Sequence, residues 1–346
     1  MKPVTTNRQN NLPQRTAEIL HSIVHAYIDS GEPVASRTIS RQGGAALSPA
    51  SIRNIMADLS EEGFLSQPHT SAGRVPTAKA FREYVHSLHV SKNVSFEANR
   101  LRNEIRNLDT MEERVEHSSH LLMQISHNMG IAAAIPTDNQ ILDCVELVGL
   151  SGRRVLMVVV TKDRMVRDKV VAVERDLTQD ELVSLRNYIN IHFAGWTFSA
   201  IQREMQTRME EERATYDLML QRLSFLLQKG LLDIGLAPTL HTEGASNLVG
   251  VELHLTREKL REIFKALEEK QRILELLERF LEESGEVAVQ VGLGDVHPAM
   301  DGLTLIGLTV ALPGGVSARV AVLGPMRMNY ERVMSAVYHV GQALQS

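Results

Sequence analysis

Arg53 and Asn54 stand side by side in LSPASIRNIMADLSEEG, residues 47–63. A guanidinium and a carboxamide are the side chains that make paired hydrogen bonds to guanine and adenine edges in the major groove. Ala50, Ser51 and Ala57 share their side of the helix and are small enough for close approach. Ile52, Met56 and Leu59 recur at helical spacing on the opposite side and form a buried stripe. Taken alone, an Arg and an Asn on one helix face describe any solvated helix. The segments on either side change that.

Downstream, Gln67–Thr77 reads as a polar hairpin, with Gly73 at a turn and Arg74 beside it. A basic residue near such a tip can touch phosphate or the minor groove. Upstream, after Pro33 and Val34, Ser36 can cap a short helix through Ser40, with Arg37 and Thr38 in its first turn. The candidate nucleic-acid contacts are thus Arg53 and Asn54 for bases. Ser36, Arg37, Thr38, Ser51, His69, Thr70 and Arg74 are candidates for the backbone or the wing.

The elements that position these residues follow from punctuation. A first helix spans Gln14–Asp29 on the stripe Ile19, Leu20, Ile23, Val24, Tyr27 and Ile28, and Gly31 stops it. Ser48 caps the third helix and Pro49 takes its first position, where a missing N–H costs nothing. Gly63 ends that helix and Phe64-Leu65 read as a short strand. Ala78–Leu88 is helical, with Phe81, Tyr84, Val85 and Leu88 inward. Three helices, a hairpin and a fourth helix predict a winged helix–turn–helix domain over residues 1–92.

Charge is distributed in the same sense. Residues 1–92 hold ten Lys/Arg and seven Asp/Glu, while the whole chain carries −5. A mildly basic head on an acidic body turns the head toward phosphate. The single Cys144 excludes an internal disulfide. The polar start Met1–Pro13 has no apolar signal core and no window reaches the length of a membrane span, so a cytoplasmic protein with no membrane partner is expected.

Residues 93–346 read as a larger α+β body. Ser95–Met129 is strongly helical, with Leu101, Leu108, Val115, Leu122 and Met129 recurring every seven residues. That seam fits a dimer contact or the inner face of a helix packed on its own domain, and the poor intervening positions Glu112 and Ser119 favour the second. LDCVELVGL, RRVLMVVVT and MVRDKVVAV form an antiparallel meander between turn signals. Thr178 and Glu181 make a capping box for a helix through Phe193. Ile201–Leu232 and Arg257–Glu283 are amphipathic helices. Glu286–Gly292, Leu303–Leu312 and Ala318–Leu323 read as strands, and Asn329–Leu344 as a closing helix.

Catalytic constellations are thin. His117 and His120 could share a metal, but no third ligand of fixed spacing appears, so capping or solvated histidines and no metal are expected. VGLGD at 291–295 lacks the third glycine and the following helix of a dinucleotide loop. Asp295, His297 and Asp301 have no accompanying nucleophile. Cys144 lies on a strand and reads as a small buried hydrophobe rather than a nucleophile. Arg327 fits a structural role better than an anion site. No cofactor and no enzymatic activity are expected.

The run LSPASIRNIMADLSEEGFLSQPHTSAGRVPTAKAFREYV closely resembles the N-terminal signature of HrcA-type heat-inducible transcription repressors. Ser51-Ile52-Arg53-Asn54, the PHTSAGR-x-PT segment at 68–77 and GPMRMNY at 324–330 carry the resemblance. It implies a winged-helix head that recognises an inverted-repeat operator, called CIRCE, upstream of chaperonin and chaperone operons. It also implies a GAF-like domain interrupted by an insertion that mediates homodimerisation, with edges somewhere within about 140–245. A GroEL-type chaperonin is implied as the partner that keeps such repressors active. The alternative is a ligand-sensing GAF-domain regulator or enzyme with the winged helix as an interaction module.

Overall fold

A computed structural model describes residues 12–41, 47–68, 73–88, 96–136, 140–162, 164–211, 225–232, 238–248, 257–281, 285–312 and 316–345. The chain divides into two compact units. The first joins residues 1–90 to 289–305 and 324–332; the second joins 91–288 to 306–323 and 333–346.

In the first unit, α1 (Gln14–Ser30) buries Ile19, Leu20, Ile23 and Val24 and ends at Gly31, whose φ of 73° lets its N–H reach Tyr27 O. The short α2 (Ser36–Arg41) precedes α3 (Pro49–Glu61). Ser48 caps α3: its hydroxyl accepts the Ser51 N–H at 3.2 Å, and Pro49 fills the first turn. After α3, β1 (Leu65–Ser66) pairs antiparallel with β2 (Val75–Pro76), and α4 (Ala78–Ser87) follows. Ile52, Met56 and Leu59 of α3 are buried with Phe64, Phe81 and Tyr84.

In the second unit, the expected single helix over 95–129 is instead two helices and a strand: α5 (Phe96–Arg106), α6 (Met111–Ser126) and β3 (Met129–Pro136). The physical cause is a second capping box. Thr110 Oγ1 accepts the Glu113 N–H at 3.2 Å, while Glu113 Oε2 accepts the Thr110 N–H at 3.1 Å. Arg114 secures the break by donating to Leu108 O and Arg106 O at 3.1 and 3.2 Å. His127 then closes α6 in the left-handed region. The seven-residue recurrence therefore runs through a loop and into a strand, and α6 lies on β3.

The meander and capping box stand where expected: β4 (Leu142–Leu150), β5 (Arg154–Thr161), β6 (Val166–Ala172) and α7 (Gln179–Phe193). Thr178 caps α7 together with Glu181. The expected helix over 201–232 is replaced by α8 (Phe198–Glu211) and a π-helical turn at Leu227–Leu232. A strand absent from the sequence reading, β7 (Thr239–Glu243), comes next. Two helices, α9 (Arg257–Glu268) and α10 (Lys270–Phe280), replace the expected single one and meet at Glu269. Strands β8 (Val287–Val291), β9 (Leu303–Leu312) and β10 (Val316–Pro325) and helix α11 (Tyr330–Leu344) complete the order.

Two antiparallel sheets organise these elements. One has the order β7-β3-β10-β9-β8; the other is β4-β5-β6. Since β3 and β7 are neighbours in the first sheet, the chain leaves it after β3, builds the second sheet with α7 and α8, and returns at β7. The second sheet has its own core, in which Val145, Leu147, Val155, Met157 and Val159 pack with Leu182, Leu185 and Phe193. The architecture is mixed α+β with antiparallel sheets.

Candidate nucleic-acid interface

Arg53 and Asn54 are exposed on α3, while Ile52 and Leu59 on the opposite face are fully buried. The capping hydroxyl of Ser48 fixes where α3 begins and therefore which residues face out. Ser51 serves that cap: its hydroxyl lies 3.1 Å from Ser48 Oγ, and its side chain is half-buried. Arg37 and Thr38 are exposed on α2, whereas Ser36 is only 8% exposed. Ser36 thus faces the core and offers at most a helix-terminal backbone to a partner.

Arg74 is anchored by its main chain. Its N–H donates to Val34 O and its carbonyl accepts from Val34 N–H, both at 2.9 Å. That bridge adds a third short strand segment beside β1 and β2, a contact the sequence reading did not find. Its one local signal was Pro33, whose fixed φ suits extended backbone ahead of α2. Gly73 makes the bridge possible, because a Cβ there would meet the Val34 carbonyl. His69 and Thr70, proposed for the tip, lie outside the described residues.

The corner between α3 and the hairpin is held by two side chains. Thr77 Oγ1 donates to Gly63 O at 2.8 Å, while the Thr77 N–H donates to Phe64 O at 2.9 Å. Lys79 Nζ donates to Glu62 O at 2.9 Å and sits 4.1 Å over the Phe64 ring. An exposed Arg-Asn pair on a capped helix, an exposed Arg-Thr pair on α2 and an anchored Arg at the hairpin can meet an anionic, grooved surface.

The other candidates take structural roles. His297 Nδ1 accepts the Ala299 N–H at 3.2 Å and caps a 3-10 turn at Pro298–Met300. Burial, then Asp143 and Glu146, push the Cys144 thiol up, away from a reactive thiolate. His120 Nδ1 donates to the Glu243 carboxylate on β7, and its Nε2 lies 2.7 Å from Gln124 Nε2. His120 and Glu243 line a cavity of about 750 Å³ with His117, His241 and Lys270. Among the described residues, no three His, Cys, Asp or Glu side chains are placed to hold a metal. No described helix is long and apolar enough to cross a membrane.

Comparison with known proteins defines the class, that of transcription repressors. The family described as "HrcA protein C terminal domain" matches residues 112–334. A heat-inducible transcription repressor HrcA from Geobacter sulfurreducens is 33% identical over 94% of this chain and 95% of its own length. One of the same name from Xanthomonas axonopodis pv. citri is 33% identical over 97% of each chain. A crystal structure of a hypothetical protein shares the fold, with a TM-score of 0.58 at 20% identity over 96% of both chains. The chain belongs to the HrcA family of heat-inducible transcription repressors.

Proposed function

We propose that this chain is a sequence-specific repressor of chaperonin and chaperone operons that binds a CIRCE-type inverted repeat as a homodimer. A winged-helix head built on α1–α4 and the β1–β2 hairpin reads the DNA. Arg53 and Asn54 contact base edges, and Arg37, Thr38, Ser51, His69, Thr70 and Arg74 position backbone and wing, with Ser36 at the α2 terminus. The observation that carries this reading is the pairing of an exposed Arg53-Asn54 face on a capped helix with the Val34-anchored Arg74. Arg and Asn there have no partner of their own within the described chain, which suits groups kept for a ligand.

The homodimer is supported by the second sheet. On its outward face, cross-strand rows run Cys144–Val160–Val166, Glu146–Val158–Asp168, Val148–Leu156–Val170 and Leu150–Arg154–Ala172, so the exposed valines flank a row that carries two carboxylates. Val148, Val166 and Val170 are 48%, 52% and 48% exposed, a concentration of apolar surface that a soluble monomer rarely leaves open. The sheet lies inside the detour between β3 and β7, consistent with a dimerisation insertion in a GAF-like body. A two-fold dimer places one α3 in each half-site of an inverted repeat. A GroEL-type chaperonin that maintains activity fits a chain with 14 Met and an exposed apolar sheet face, whose unpaired form would aggregate. A cytoplasmic location and a non-enzymatic role follow from the same reading.

The deciding experiment measures binding of purified protein to a CIRCE duplex and to a scrambled duplex at two salt concentrations. Specific retention that weakens with salt is expected, with a log–log slope of about −0.9 per phosphate contacted. Equal affinity for both duplexes refutes the reading.

A further inference from the structure

Tyr330, far along the chain from the reading helix, is 1% exposed in the first unit. Its ring lies 6.1 Å from Phe81 and 6.2 Å from Tyr84, both on α4. Those two rings in turn meet α1: Phe81 lies 6.3 Å from Tyr27, and Tyr84 lies edge-on to His21 at 5.7 Å. Tyr330 is the central member of a five-ring chain that joins α1 to α4. Its hydroxyl donates to Met326 O at 2.7 Å, so the segment 326–330 holds its own shape while presenting the ring.

Arg327 makes a second contact at the C-terminal end of α1. A Cβ on Gly31 would stand 2.5 Å from Arg327 Nη1 and 2.9 Å from its Cζ, so the guanidinium packs closely against the residue that terminates α1. A cation at a helix C-terminus is favoured by the backbone dipoles there. Arg82 of α4 adds a third contact by donating to Val291 O at 3.3 Å. Residues 289–305 and 324–332 belong to the same compact unit as residues 1–90.

We propose that Arg327 and Tyr330 are positioning residues for DNA reading, and that the head is completed only by the 324–332 segment. The proposal rests on the DNA-binding reading above. Its physical route is short. Tyr330 sets α4 against α1, α1 packs on α3, and Thr77 at the start of α4 bonds the Gly63 and Phe64 carbonyls at the end of α3. A loosened clasp therefore changes how the Arg53-Asn54 face and the hairpin are presented together. Each side chain acts through α1 and α4 and touches no DNA.

The test uses the full chain and its variants Tyr330→Ala, Tyr330→Phe and Arg327→Ala. Binding to operator and scrambled duplexes is measured at a temperature where far-UV circular dichroism shows each variant folded. Tyr330→Ala is expected to lose operator affinity about tenfold while its affinity for scrambled DNA holds, and Tyr330→Phe to stay near wild type. A clasp that only adds stability leaves operator affinity unchanged in a folded variant, and that result overturns the proposal.

Where Tyr330→Ala fails to fold, a double-mutant cycle decides. Gly31→Ala carries the same backbone strain in either background, but it meets the guanidinium only when Arg327 is present. Operator affinities that couple Gly31→Ala to Arg327→Ala support the clasp, whereas additive losses overturn it. If wild-type protein itself fails to distinguish operator from scrambled duplex, the DNA-binding reading fails and takes the clasp with it. Operator discrimination by wild type with indifferent variants removes the clasp alone.

Discussion

Gly73 and Val34 meet backbone to backbone: a Cβ on Gly73 would stand 2.5 Å from the Val34 carbonyl oxygen and 2.6 Å from its carbon. Backbone cannot step aside as a flexible side chain can. Gly73→Ala must therefore push apart the Val34–Arg74 bridge, whose two hydrogen bonds are each 2.9 Å long. With such bonds worth about 1 kcal/mol apiece, loss of both corresponds to a fall in operator affinity of up to about thirtyfold as Arg74 is displaced. Fluorescence anisotropy with a labelled duplex measures this. Wild-type affinity in Gly73→Ala would show that the hairpin root does not set the wing.

Arg53 and Arg74 should fail differently. Arg53→Ala is expected to cost about 1–3 kcal/mol and to relax preference at one operator position, as loss of a base contact does. Arg74→Ala should weaken all sequences alike and lower the salt slope by about one. Binding to a panel of single-base operator variants at several salt concentrations separates the two. An Arg53→Ala variant that keeps the wild-type preference at every position excludes base reading by that residue.

What the sequence made legible was what local chemistry decides. Ser48-Pro49 and Gly63 bounded α3, and Thr178 with Glu181 marked the start of α7, because caps and stops act within a few residues. Strand β3 escaped because MGIAAAIP is buried on both faces over most of its length and shows no alternation. Strand β7 escaped for the opposite reason: TLHTE is a polar edge strand with no apolar signal. The break before α6 was written in Thr110 and Glu113, yet the seven-residue leucine recurrence masked it. In the candidate interface, residue types on α3 were readable, but the burial of Ser36 and the Val34–Arg74 bridge were not. Both depend on which distant segments come together, and periodicity carries no such information.

The outward face of β4-β5-β6 gives a prediction about assembly. Leu156 lies between Val148 and Val170 in one cross-strand row, and both valines are 48% exposed. Val170→Glu places a charge on that surface with little effect on the inward core, because Val171 is the neighbour that packs inside. Burying an unpaired carboxylate in a dimer contact costs several kcal/mol, enough to shift the protein to monomer at about micromolar concentration. Sedimentation should then give half the wild-type mass, with weakened operator binding. A variant that remains dimeric rules out this face as the dimer contact.

Acid sensitivity of α7 follows from its cap. The Thr178 backbone N–H donates to Glu181 Oε2 at 2.9 Å and Arg175 adds a side-chain pair, so the Glu181 pKa is lowered from 4.5 to about 2. A carboxyl depressed in the folded state contributes stability that is complete above its unfolded pKa and disappears as pH falls through the folded value. The window is therefore from 4.5 down to about 2. Glu181→Gln keeps the shape of the cap but removes its charge. Melting temperatures of wild type and Glu181→Gln should differ most near neutral pH and converge as pH drops through that window. A gap of constant size across the whole range would mean that the ionised carboxylate contributes nothing to the cap beyond what the amide supplies.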